Sequence, residues 1–315
     1  MAGAAPLKAT FFAFKPRERG GVLARATLAY LGLGILIFAL FAMASWRLFP
    51  PVFEWYFDML SAIRLGEEGE LSLREIPREL FLLMPSYFLL IFAVGVLFAS
   101  YEAACLRWMI HGETAGLFGL SLGPDTWRVW LTYWAWMAGF LCIYVVFASA
   151  VFALVLGVSM IAGPAALAVT PLLLLGLYAA LIVFAVRTAP AAATSVALKR
   201  FAFFKAWAVT RGRFWAMLGS FLLLWLIAVV IMLMLYTAGL ATIFAASGVS
   251  FRDVMSAGDR HAIHDAIIAV MMTPRALTIA GAYYVLLVAF SLTLYVAMFG
   301  VNARAAKLAL EEGRI

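Results

Sequence analysis

The chain has 315 residues, of which 66% are hydrophobic and 12% are charged, and its net charge is +7. Ordinary soluble domains carry about 25% charged residues, and a soluble protein cannot hide this much apolar surface, so a soluble globular protein is excluded. The positive charge is typical of the Lys- and Arg-rich cytoplasmic loops of membrane proteins. Because no basic domain is large enough to bind nucleic acid, we expect no nucleic-acid partner.

Six long apolar stretches divide the chain, and each reaches the roughly 20 residues that a helix needs to cross a hydrocarbon core. They predict an all-α polytopic protein with one transmembrane domain over residues 21–300, an N-terminal cytoplasmic segment over 1–20 and a C-terminal cytoplasmic tail over 301–315. The predicted spans are Gly21–Trp46, Leu80–Leu106, Val129–Leu156, Ala165–Val186, Phe214–Ala246 and Ala276–Gly300.

The first stretch has some features of a signal peptide. Basic residues precede it, and Ala42-Met43-Ala44 is similar to a cleavage site. Its apolar part is about 24 residues long, however, whereas the apolar region of a signal peptide has roughly 7–15. We therefore expect a retained membrane anchor.

Charge predicts the orientation of the spans. With Arg25 at the start of the first span included, the two terminal segments and the second and fourth connections together hold 16 Lys and Arg, whereas the first, third and fifth connections hold 7. The richer side normally stays in the cytoplasm. The sequence therefore predicts that both termini lie in the cytoplasm.

The outer connections differ in character. Segment Arg47–Glu79 begins with Pro50-Pro51 and an aromatic cluster, which favours a short interfacial helix that ends near Gly66. Segment Ser247–Pro274 has the pattern of a second amphipathic helix. Between the third and fourth spans only a tight turn around Gly163-Pro164 remains, so an antiparallel hairpin is expected.

The fourth connection, Thr194–Gly212, is the most patterned polar segment. Thr194 or Ser195 is suited to cap a helix start, apolar residues then recur at helical spacing, and Gly212 is suited to end the helix in a left-handed turn. We expect a basic amphipathic helix on the inner leaflet. An ordinary positively charged loop with anchoring aromatics explains its composition, and the alternative is a surface that contacts anionic headgroups or a membrane protein partner. The expected contact residues are Lys199, Arg200, Lys205, Trp207, Thr210, Arg211, Gly212, Arg213 and Trp215.

At the end of this connection and the start of the fifth span, Trp207, Thr210-Arg211-Gly212 and Phe214-Trp215 form a pattern of tryptophan, Thr-Arg-Gly and aromatic pair. It resembles a signature of uncharacterised multi-pass proteobacterial inner-membrane proteins, similar to the membrane domain fused to some glycerophosphodiester phosphodiesterases. Segment Leu120–Arg128 also resembles related sequences. The resemblance implies the six-span plan and a bacterial membrane. Because the sequence contains no soluble phosphodiesterase domain, that activity is not expected.

Glu102 is the strongest single candidate for chemistry within the spans. A carboxylate at the centre of a bilayer costs about 2.5–3.5 kcal/mol and normally faces a partner or water. It could be a proton or cation site in a transport path. The alternative is a structural contact with Arg107, Arg187 or Arg211.

The histidines give a weaker signal. On a helix, His261 shares a face with His264 and Asp265, so a divalent metal could bind there. The glutamate of the metalloprotease motif is missing, and a polar face of an outer surface helix is the favoured explanation of the pattern. His111, beside Gly112, is expected to be a solvated loop residue.

Cys105 and Cys142 are expected to be small packing residues, and no motif predicts a cofactor or a metal. The favoured function is therefore non-enzymatic: a protein that scaffolds or regulates membrane partners or lipid homeostasis. The alternative is a transporter or permease-like protein for an apolar or amphiphilic solute, because the spans lack the polar lining that hydrophilic cargo needs. An intramembrane enzyme would require a cluster of polar residues within the spans, and the sequence shows none.

Overall fold

The computed structural model describes residues 10–15, 21–65, 76–162, 170–247 and 273–315. Every regular element in these residues is helical, which confirms the all-α prediction. The α-helices are α1 (Val22–Ser45), α2 (Phe49–Leu65), α3 (Arg78–His111), α4 (Pro124–Ala162), α5 (Thr170–Thr188), α6 (Ala191–Ala197), α7 (Ala206–Thr210), α8 (Phe214–Ser247) and α9 (Pro274–Glu311). Short 3-10 turns lie at Phe12–Phe14 and Phe203–Lys205.

Within the described residues, six helical stretches are long and apolar enough to cross a membrane. Each overlaps one of the spans predicted from the sequence, so the chain is a multi-pass integral membrane protein. The stretches are Val22–Ser45, Arg78–His111, Pro124–Val158, Pro171–Ala197, Phe214–Ala246 and Pro274–Glu311.

Helices α3 and α9 are longer than a bilayer requires. They have 34 and 38 residues, which corresponds to about 51 and 57 Å of helix, against a hydrocarbon core of about 30 Å. Their buried residues concentrate in the C-terminal part of each helix, mainly over 96–110 in α3 and 292–309 in α9. The N-terminal parts expose mostly apolar side chains, as lipid-facing helices do.

The chain divides into two compact units. The larger unit, residues 17–206, contains α1 to α6, and in it α3 packs against α1, α4 and α6. The smaller unit combines residues 1–16 with 207–314, and in it α8 and the turn Phe12–Phe14 both pack on α9.

The N-terminal segment is docked within the smaller unit. Phe12 and Ala13 are buried, and the Arg304 guanidinium lies over the Phe12 ring, 5.4 Å from its centroid. A Cβ added to Gly300 would lie 2.8 Å from both the nitrogen and the Cβ of Ala13, so only glycine permits this approach. Residues 301–311, which the sequence suggested as a tail, continue α9 and bury residues such as Val301.

The first outer connection agrees with the sequence where it is described. Helix α2 forms the helix expected after the first span, and Pro50 and Pro51 fall in its first turn, where proline is tolerated. The polar turn after Gly66, the turn at Gly163-Pro164 and the amphipathic helix within 248–272 lie outside the described residues.

Candidate functional site

Glu102 lies inside the larger unit and is 6% exposed. Its carboxylate Oε2 accepts a hydrogen bond from the hydroxyl of Tyr133 on α4. Such a donor matters because a buried polar group without a partner loses its hydration without compensation. Among the described residues the partner of Glu102 is thus a neutral tyrosine, rather than Arg107, Arg187 or Arg211.

Arg107 fixes the connection between α3 and α4. Its Nη1 donates to Asp125 Oδ2 at 3.2 Å and its Nη2 donates to the Gly119 carbonyl at 3.1 Å. Asp125 also accepts from Arg128 Nη1 at 2.6 Å. Because Arg107 is 6% exposed, its charge requires these partners. Arg107 therefore holds the connection in place through its two terminal nitrogens.

Helix α1 joins this region beside Glu102. The hydroxyls of Thr27 and Tyr101 are 2.8 Å apart, and the Tyr30 and Tyr101 rings stack with centroids 4.8 Å apart. Tyr101 is fully buried, so its hydroxyl needs the partner that α1 provides. Contacts from α1 and α4 thus meet on consecutive residues of α3.

The fourth connection is not the continuous amphipathic helix that the sequence predicted. Helix α6 ends at Ala197, where the Lys199 and Arg200 amides bond back to the Val196 and Ser195 carbonyls, at 3.1 and 3.2 Å. This is a Schellman ending, in which Lys199 has a positive φ of 50°. The helical spacing of the apolar residues failed as a signal because this ending interrupts the helix after about two turns.

Thr194 and Ser195 also differ from their predicted capping role, since both lie inside α6 and are buried. Each hydroxyl donates to the carbonyl four residues earlier. The Ser195 Oγ additionally accepts from the Ala202 amide at 3.1 Å. Ser195 therefore ties down the loop after the helix instead of starting the helix.

The loop 199–205 belongs to the larger unit and presents cations and aromatics outward; we call it the basic loop. Phe203 and Ala206 are buried and pack with Ala191. The neighbouring Phe204 is 86% exposed and Phe201 is 46% exposed. Lys199, Arg200 and Lys205 are also exposed, and Lys199 Nζ pairs with Glu113 Oε1 at 3.3 Å.

The remaining predicted contact residues lie in the smaller unit. Trp207 and Trp215 are 52% and 79% exposed, whereas Thr210 is buried and its hydroxyl donates to the Trp207 carbonyl at 3.1 Å. Gly212 has a φ of 76°, which confirms the left-handed turn expected there. Arg213 forms an ion pair with Glu312. Arg211 is exposed, and its carbonyl accepts from Arg314 at 3.0 Å.

The histidine expectations have different outcomes. His111 is the last residue of α3 and is half-buried, with Nε2 3.3 Å from the Val196 carbonyl, so its assignment to a solvated loop was wrong. His261 and His264 lie outside the described residues. No group of three or more His, Cys, Asp or Glu suited to a metal occurs in the part of the chain that the structure describes.

Sequence reasoning missed three residues that pair with predicted site residues: Tyr133 with Glu102, Glu113 with Lys199, and Asp125 with Arg107. Tyr133 was hidden among many span aromatics, and nothing in its neighbourhood indicated a buried carboxylate. Glu113 lies in a connection whose fold could not be predicted. Asp125 did carry a signal, because an acid directly after Pro124 is typical of the first turn of a helix.

No family model, curated protein or solved structure matches the chain. The resemblance to the proteobacterial membrane family therefore stays a prediction.

Proposed function

We propose that this integral membrane protein is a non-enzymatic scaffold of the bacterial inner membrane. Its inner surface binds anionic lipid headgroups, and from there it holds or regulates membrane partners or lipid homeostasis. The observation that carries the proposal is the basic loop, because it displays exposed cations and exposed aromatics on a fixed backbone.

The composition of the basic loop suits a lipid surface better than water. Phe204 is 86% exposed although Phe203 beside it is buried, so the local fold leaves one of two adjacent aromatics outside. A phenylalanine in water forfeits apolar burial, whereas at a membrane interface it meets both acyl chains and headgroups. Each Lys or Arg near an anionic leaflet adds about 1 kcal/mol.

The charges of this region favour an anionic partner. Glu113 pairs with Lys199, and Asp125 pairs with Arg107 and Arg128. The nearby acids are thus compensated, while the exposed Arg200 and Lys205 have no ion pair among the described residues. The excess of Lys and Arg on the predicted inner side supports the same orientation, with both termini in the cytoplasm.

Transport of an apolar or amphiphilic solute is the alternative function. The role of Glu102 distinguishes the two. Its hydrogen bond with Tyr133 supports a structural role, because the carboxylate already has a protein partner. If Glu102 instead served transport, Glu102→Gln would abolish solute movement in proteoliposomes.

The proposal is tested by extracting the full chain from its native membrane with a mild detergent and identifying the co-purifying lipids and proteins by mass spectrometry. We expect enrichment of anionic lipids over the bulk membrane, and loss of that enrichment in the double variant Arg200→Glu/Lys205→Glu. A stoichiometric protein partner lost in the same variant would also support a scaffold.

The matched control is Arg47→Glu/Arg78→Glu, which makes the same charge change at two exposed arginines of the predicted outer side. This variant should keep the enrichment. A lipid profile equal to that of the bulk membrane in the unmodified chain would contradict the proposal, as would a single enriched neutral amphiphile, which would favour transport.

A further inference from the structure

The connection between α3 and α4 exposes large apolar side chains. Within residues 113–122, here called the apolar loop, Leu117, Phe118 and Leu122 are 66%, 61% and 67% exposed. Gly119 and Leu120 between them are buried. Gly119 and Leu120 therefore face inward, whereas Leu117, Phe118 and Leu122 face outward.

The outward direction of these side chains is fixed by the backbone. Arg107 donates to the Gly119 carbonyl at 3.1 Å. Ser100 Oγ donates to the Ser121 carbonyl at 3.0 Å and accepts from the Ser121 amide at 3.2 Å. A Cβ on Gly116, whose φ is 74°, would lie 1.9 Å from the Leu120 carbonyl oxygen. The fold of the apolar loop thus depends on contacts with α3 and on one obligatory glycine.

Phe118 adopts a conformation that bulky residues rarely take. Its φ is 53°, in the left-handed region, where a non-glycine side chain is strained. Burial does not explain the residue, because most of its ring is exposed. Phe118 and Gly119, both with positive φ, form a tight turn that the Leu120 amide closes on the Leu117 carbonyl at 2.9 Å, and this turn displays the aromatic ring outward.

The apolar loop is followed in the sequence by a row of tryptophans at the start of α4. Trp127, Trp130 and Trp134 contact one another in sequence, with centroids 5.9 and 5.5 Å apart, and tryptophan concentrates where headgroups meet acyl chains. The loop also reaches the start of α1, since a Cβ on Gly119 would lie 3.7 Å from the Ala26 Cβ. The contact with Ala26 places the loop at the end of the apolar part of α1.

We propose that the apolar loop inserts Leu117, Phe118 and Leu122 into the inner leaflet, at the boundary between headgroups and acyl chains. The ion pair between Glu113 and Lys199 joins this loop to the basic loop, so both loops contact the same lipid surface. The apolar loop contacts the acyl chains, and the cations of the basic loop contact the headgroups. The inference takes its inner-leaflet orientation from the proposed function, but insertion itself depends only on the apolar loop.

The test is the depth of a nitroxide spin label on the full chain in bilayer nanodiscs. The background carries Cys105→Ala and Cys142→Ser, and single labels are placed at Phe118→Cys, at Leu122→Cys and at the control Thr114→Cys, an exposed polar residue of the same loop. Label 122 keeps the test valid if a change at the strained Phe118 disturbs folding. Collision with oxygen reports lipid, and collision with a water-soluble nickel chelate reports water.

We expect labels 118 and 122 to collide several-fold more with oxygen than with the nickel chelate, and label 114 to show the reverse. Equal nickel access at all three sites would overturn the proposal, and so would shielding from both reagents, which would indicate a second copy of the chain on this loop. The measurement is made in purely zwitterionic and in mixed anionic nanodiscs. Insertion in both would support the loop proposal even if anionic lipids were not preferred, so the two proposals fail separately.

Discussion

Lys199 shows how a single backbone angle determines a helix end. Its φ of 50° places an L-residue in the left-handed region at the end of α6, at a cost of about 1–2 kcal/mol. Glycine is the usual residue at this position of a Schellman motif. The lysine side chain offers in return only an exposed ion pair with Glu113, and such pairs contribute about 0–1 kcal/mol.

Lys199→Gly should therefore raise the stability of the protein by up to about 1 kcal/mol. Thermal unfolding in detergent measures this as a higher midpoint. Lys205→Gly is the matched control, because Lys205 is also exposed but has a negative φ, and it should bring no gain. A lower midpoint for Lys199→Gly would show that the side chain contributes more than the backbone strain costs.

The pair Glu102–Tyr133 allows a second test at the same scale. Tyr133→Phe removes the hydroxyl that donates to the buried carboxylate, and an unsatisfied buried group costs about 1–3 kcal/mol. Glu102→Gln keeps an oxygen acceptor for that hydroxyl, so it should cost less. The reverse order of the two unfolding midpoints would mean that the hydrogen bond is not what stabilises Glu102.

At the scale of elements, the docking of the N-terminal segment depends on Gly300, whose missing side chain leaves a notch in α9 for Ala13. Gly300→Leu should displace the segment, because the added Cβ would lie 2.8 Å from the Ala13 backbone nitrogen and overpacking costs about 1–3 kcal/mol. Hydrogen exchange in residues 10–15 should become roughly tenfold faster or more, since each 1.4 kcal/mol corresponds to a factor of ten.

The same substitution at Gly281 provides the control. Gly281 lies in α9 too, but nothing lies within 4 Å of a Cβ added there. Gly281→Leu should leave exchange in residues 10–15 unchanged. If both variants accelerate exchange equally, the effect would come from α9 in general and not from the notch.

The elements that the sequence predicted well are those set by hydrophobic length. Any helix near 20 apolar residues is visible from composition alone, so all six spans were predictable. The left-handed turn at Gly212 was predictable for another reason, because glycine is the usual residue there. The fourth connection was not, because its break depends on the Ser195 hydroxyl accepting from the Ala202 amide. Partners distant in sequence, such as Tyr133 for Glu102, depend on helix packing that no local pattern encodes.

At the scale of the whole molecule, buried polar contacts and exposed basic side chains occur in the same part of the larger unit. Arg107 and Glu102 are enclosed by protein, whereas the basic loop and the apolar loop face outward. The remaining faces of the long helices are apolar and exposed, as lipid contact requires. This division fits a protein that uses its interior for stability and its surface for recognition.

Lipid selectivity measured by electron spin resonance tests the central proposal most directly. The full chain is reconstituted in zwitterionic bilayers that contain trace spin-labelled phosphatidylglycerol or phosphatidylcholine, and the protein-associated fraction of each is compared. We predict a several-fold preference for phosphatidylglycerol, since each cation adds about 1 kcal/mol, falling close to one in Arg200→Glu/Lys205→Glu. Equal association of both lipids with the unmodified chain, or a preference that survives the double reversal, would contradict the account.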